Sequence, residues 1–120
     1  MDIDKQNRRG KFSAKGKLLP EEAVELATSA LSAAGAEDLK TLVLDFKDLS
    51  LTRRMTVTEC HHVGERLATA GRGLLKVAFI TTDECSQHHA FLFTVAVNRG
   101  LRVATFGQET DALSWLAKAA

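Results

Sequence analysis

Between Thr41 and Phe46 the chain reads TLVLDF, a short and almost unbroken apolar run closed by Asp45. Such a run suits a strand covered on both faces, as in parallel sheets. The segment that follows, KDLSLTRRM, is polar and predicts a loop. Thr56 and Glu59 then form a capping-box pattern that opens a helix. Upstream, Met1 to Gln6 and Lys11 to Gly16 read as two short strands, joined by a turn over Asn7-Arg8-Arg9-Gly10 in which Gly10 supplies the positive φ. A first helix begins at Pro20, with Glu21 and Glu22 placed to favour its dipole. Ala23, Leu26, Ala27, Ala30, Leu31 and Ala34 recur along one face, and Gly35 ends the helix.

The second helix should bury Cys60, Val63, Gly64 and Leu67, with Ala68 beside them, and stop at Gly71. Leu74 to Thr81 reads as another apolar strand. AFLFTVAV has the composition of a strand, but Thr81 and Glu84 make a capping box and Asn98-Arg99-Gly100 a helix stop, so Asp83 to Asn98 is predicted as one helix. Leu101 to Phe106 is a last strand, and Glu109 to Lys118 a last helix presenting Ala112, Leu113, Trp115 and Leu116.

The order is β-β-α-β-α-β-α-β-α. It predicts an α/β fold with a four- to five-stranded, mostly parallel mixed sheet, one antiparallel edge strand and four helices. Open α/β sheets hold their sites beyond the carboxyl ends of the strands. That places the candidate partner-binding surface on Thr52, Arg53, Arg54, Met55 and Thr56.

At 120 residues and 45% apolar content the chain is expected to form one domain, residues 1–120, with no disulfide or metal needed for folding. No apolar run approaches the ~20 residues of a membrane span. With two cysteines and no apolar signal-like start, the expected setting is a reducing cytoplasm. A net charge of +1 argues against a nucleic-acid partner. The charge is uneven, +4 over residues 1–17 and −3 over the remainder, which suits an edge hairpin guarded by lysines.

Three stretches carry a family resemblance: FSAKGKLLPEEA, LVLDFKDLSLT and NRGLRVATFGQETDALSWL. In this order they resemble the STAS domain superfamily, in particular its SpoIIAA-like branch of anti-sigma factor antagonists, over nearly the whole chain. The resemblance implies helices packed on a four- or five-stranded sheet and a role in protein–protein binding. The switch of that family is a serine in an Asp-Ser-Ser-Gly motif at the helix start after the central strand. Counted from Asp45, the motif falls on Arg53-Arg54-Met55-Thr56, so Met55 stands where the phosphorylatable serine would be. A kinase-controlled switch therefore does not carry over. The hydroxyl of Thr56 is accounted for by capping.

Cys60-His61-His62 and Cys85-x-x-His88-His89 lie near two helix starts. Successive helical residues point about 100° apart, so the first trio cannot share one ion. Cys85 and His89, at i and i+4, are the better half-site, and Cys85 the better candidate nucleophile. Neither pattern has a complete ligand set or a partner acid, so no metal, cofactor or catalytic residue is expected. Arg53, Arg54 and Arg102 could gather anions near the sheet's edge, but no glycine-rich phosphate loop accompanies them and solvated arginines are the default reading. AFLFTVAV is apolar around most of its circumference, making Phe91 and Phe93 a candidate dimer surface. The expected function is a non-enzymatic regulatory or protein-interaction module with an unknown protein partner. The alternatives are a small-ligand or lipid carrier with a pocket at the sheet's carboxyl edge and, third, a metal- or thiol-dependent enzyme.

Overall fold

A computed structural model describes residues 1–118, apart from the side chains of residues 83 and 86. Strands β1 (Asp2–Asp4), β2 (Arg9–Leu18), β3 (Thr41–Leu51), β4 (Lys76–Ile80) and β5 (Val103–Phe106) form one sheet in chain order. β1 is antiparallel to β2, and every other pair is parallel. The helices are α1 (Pro20–Ala36), α2 (Val57–Ala70), a third helical segment divided into α3 (Asp83–His88) and α4 (Ala90–Asn98), and α5 (Glu109–Ala117). The α/β architecture is that predicted.

Consecutive right-handed crossovers that step across a sheet in one direction leave their helices on one face. Thus α1, α2 and α4 cover one side, burying Leu31, Leu42, Leu44, Leu67, Val77 and Ala96. α5 follows the last strand and covers the other side, closing Val43, Ala78 and Ile80 under Ala112 and Leu116. Lys76 is buried on that side, donates to the carbonyls of Trp115 and Lys118 at 2.8 Å, and lies over the Trp115 ring. It thereby serves the orphan carbonyls at the end of α5.

Several local expectations are corrected. Arg8, with φ of 51°, takes the left-handed turn position, not Gly10. Gly10 lies inside β2, where a Cβ would come within 2.9 Å of Leu39, so it supplies space rather than a turn. Gly35 falls within α1, whose C-cap is Glu37. The cap of α3 is Thr82, whose hydroxyl accepts from the Cys85 N–H at 3.2 Å, and not Thr81. The helix expected over Asp83–Asn98 breaks at His89, and the Gly100 stop holds with φ of 101°.

The largest difference is the length of β3, which runs to Leu51 instead of stopping at Phe46. Its ladder with β2 contains a bulge: Ser13 pairs with Asp45 and Lys15 with Asp48, so β3 carries one residue more than β2 between them. Leu42, Leu44 and Phe46 face α1 and α2, and the extra residue lets Leu49 and Leu51 return to that face. β4 ends opposite Asp45. Beyond it, β2 and β3 continue as a two-stranded extension.

Candidate functional site

The Thr52–Thr56 loop leaves β3 at the carboxyl edge of the sheet, as the fold class requires. The capping box is present. Thr56 Oγ1 accepts from the Glu59 N–H at 3.1 Å, and Glu59 Oε1 accepts from the Thr56 N–H at 2.9 Å. Arg53 closes on the same carboxylate in a two-pronged pair, Nη1 and Nη2 donating at 2.7 and 2.8 Å, and Nη2 also reaches Glu21 of α1 at 3.2 Å. The Arg53 guanidinium and the Thr56 amide hold the Glu59 carboxyl down at about 2. Arg53 thus spends its donors on fixing the loop, whereas the Arg54 side chain is exposed.

A second tether comes from His89, buried at the break between α3 and α4. Its Nε2 accepts the Met55 N–H at 3.2 Å. A ring that accepts through Nε2 carries its proton on Nδ1, which donates to the Cys85 carbonyl at 3.1 Å. The Cys85 Sγ lies 3.6 Å from the same nitrogen. Burial, opposed in part by this carbonyl, pushes the imidazole below its ordinary value, and nearby His88 and Arg54 add to the shift. Folding therefore keeps His89 neutral while the unfolded chain can protonate it. The contribution is complete above pH 6.5 and is lost as the pH falls from there through the lower folded-state value. Urea midpoints should accordingly drop between pH 7.5 and pH 5 in the wild type. In His89→Gln that slope should shrink, and stability at pH 7.5 should fall by roughly 1–3 kcal/mol as the two ring bonds are lost.

Under this loop lies an apolar cavity of about 70 Å³ between the sheet and the helices, lined by Leu49, Leu51, Met55, Phe79, Leu92 and Phe93 among others. Beside it, between the β3 extension and α3, runs an open groove of about 450 Å³. The two share Leu49, Leu51, Cys85 and His89.

Other expected residues are dispersed. Arg102 precedes β5, at the amino end of the parallel strands, and so lies across the sheet from Arg53 and Arg54. Phe93 turns inward onto Phe79, with ring centroids 5.1 Å apart, whereas Phe91 is exposed and stacks on His61. The two phenylalanines therefore do not share a surface. Cys60 is buried, and His61 and His62 both approach Glu65. Among the described residues no three His, Cys, Asp or Glu side chains converge in a metal-holding group. Burial pushes both thiols up, further from the thiolate a nucleophile requires.

The tether at His89 and the groove edge escaped sequence reading. The local pattern singles out His89 only with Cys85, and carries no sign of its distant partner Met55. The displaced spacing of Leu49 and Leu51 was the available signal for the longer strand.

The fold and this loop define an α/β protein with a five-stranded mixed sheet and a fixed, partly basic rim at its carboxyl edge. No protein-family model matches the chain, and no curated protein or solved structure matches it. Among the described residues no helix is long and apolar enough to cross a membrane.

Proposed function

We propose that this chain is a STAS-like, SpoIIAA-like module of the bacterial cytoplasm that acts by binding a protein partner and catalyses no reaction. The observation that carries the reading is the pre-set rim. Arg53 is clamped to Glu59 and Glu21, Met55 is tied to His89, and Thr56 is capped, which leaves Arg54 outward beside the groove. A loop ordered before binding loses little entropy when it docks. The element order and the position of the loop after the central strand agree with the family resemblance. Met55 at the switch position makes the module one that docks without serine phosphorylation.

The cavity favours docking over carriage of a lipid. At about 70 Å³ it is less than half the roughly 150 Å³ that accepts benzene in an engineered core, and it takes a small apolar group rather than an acyl chain.

Co-purification from the native cell, comparing wild type with Arg54→Glu and Arg53→Ala/Arg54→Ala, tests the reading. The wild type should retain a partner that both variants lose while their circular dichroism stays unchanged. Identical partners in all three would remove the rim as the binding surface.

A further inference from the structure

His89 joins two elements through the two nitrogens of one ring. It ends α3 and begins α4, and it is 4% exposed. On one side the Cys85 carbonyl accepts both its backbone N–H and its Nδ1–H, each at 3.1 Å, so the ring is anchored to α3. On the other side Nε2 accepts the Met55 N–H, the contact that crosses to the rim loop. A proton added to Nε2 turns that acceptor into a donor. Two N–H groups would then face each other at 3.2 Å, and the bond across to the loop is lost. The bond to Cys85 becomes charge-assisted and strengthens. Protonation thus frees the loop while the ring keeps its place on α3.

We propose that protonation of His89 is a switch on the docking rim, untying Met55 so that the rim is set near neutral pH and released in acid. The inference rests on the docking reading and adds its regulation. The release is confined to the peptide between Arg54 and Met55. Arg53 stays clamped to Glu59, whose carboxyl, held down at about 2, remains charged well into acid and keeps its capping bond with Thr56. Like charge faces His89 from two neighbours, Arg54 of the loop and His88 of α3. Opposite charge lines the groove in Asp48 of the β3 extension and Glu84 of α3. Lys47 and Arg53, on the same groove, are paired with Asp45 and Glu59. The Cys85 thiol beside the ring has its ionisation pushed up by burial and stays neutral. Toward the cavity, the described lining from α1, α2, α4 and β4 holds no ionisable side chain. Burial dominates this balance and puts the transition below the ordinary histidine value of 6.5. Met55 is only partly buried beside the open groove, so water can take up its freed N–H.

The test is an NMR titration of the ¹⁵N-labelled full chain between pH 7.5 and pH 5, following the His89 ring protons and amide protection. The Met55 amide and the His89 ring should titrate together, with one midpoint below 6.5. Met55 protection, corrected for the intrinsic exchange rate, should fall roughly ten-fold at pH 5, the scale of one lost hydrogen bond. Protection of the Glu59 amide should change less than two-fold. His88→Gln should leave this behaviour intact; its disappearance in that variant would assign the transition to the wrong histidine and overturn the switch. Full protection of Met55 at a pH where the His89 ring is protonated overturns it as well. So does a ring that stays neutral until the whole chain unfolds, or an equal loss at Met55, Glu59 and the core amides, which would assign His89 to global stability alone. For docking, a complex captured at pH 7.5 should lose its partner when washed at pH 5. A partner that remains bound while Met55 is freed overturns the regulation and leaves the rim standing. If instead Arg54→Glu keeps every partner at pH 7.5, the docking reading falls, and the titration still decides whether protonation releases the loop.

Discussion

Leu49→Ala is expected to remove roughly 2–5 kcal/mol of stability, the range for truncating a buried leucine and a large share of the 5–15 kcal/mol typical of a domain. Leu49 is 8% exposed and belongs to the core on the α1 side of β3. Urea denaturation should show a lower midpoint with an unchanged slope. Deleting Lys47 should be far milder, within about 1 kcal/mol of wild type, the scale of losing an exposed ion pair. Its side chain is exposed, and without the extra residue Phe46, Leu49 and Leu51 fall on one face in unbroken alternation while Asp45 and Asp48 keep their partners in β2. A Lys47 deletion that costs as much as Leu49→Ala would mean that the bulge does more than keep the leucines in phase.

Gly64→Ala is the second large effect. Gly64 sits where α2 crosses α4, and a Cβ there would lie 2.5 Å from the Leu92 carbonyl oxygen and 2.7 Å from the Val95 Cβ. The first obstacle is backbone and cannot rotate away, so the helices must separate. Alanine gains about 1 kcal/mol over glycine in a helix interior, and overpacking of this kind costs about 1–3 kcal/mol or more. A net loss of about 2 kcal/mol is expected, near 8 °C in Tm for a domain of this size. Gly64→Val should roughly double it. Because α4 carries His89 at its start, the same shift should loosen the Met55 tether, visible as faster exchange of the Met55 amide. A Gly64→Ala protein with wild-type Tm would show that the crossing has slack.

The elements that could be read from sequence share a physical character. The α1 stripe, the Thr56–Glu59 capping box and the Gly100 stop are interactions between residues within one or two helical turns. They leave their spacing in the chain itself. β3 was legible as far as Phe46 and no further, because reading a strand depends on constant alternation. The bulge breaks that phase between Phe46 and Leu49, making a buried strand look like a polar loop. The single helix expected over Asp83–Asn98 failed for a related reason. Its interruption at His89 serves a bond to Met55 in another loop, which no local pattern records. That the Thr52–Thr56 loop lies at the carboxyl edge of the sheet followed from topology alone, whereas the position of Arg102 was missed. A residue before a parallel strand lies at the opposite end of the sheet from one after it.

By itself, then, the sequence determined the order and kind of the elements, the parallel sheet with its antiparallel edge, and the loop at the carboxyl end of β3. Periodicity, capping and crossover handedness act locally or by general rule. Only the tertiary structure decided that Arg53 is spent on Glu59 and Glu21, that His89 pins Met55, and that a strand edge at Leu49–Leu51 faces an open groove. Each of these joins residues that meet only after the sheet and helices pack, and such meetings leave no periodic trace along the chain.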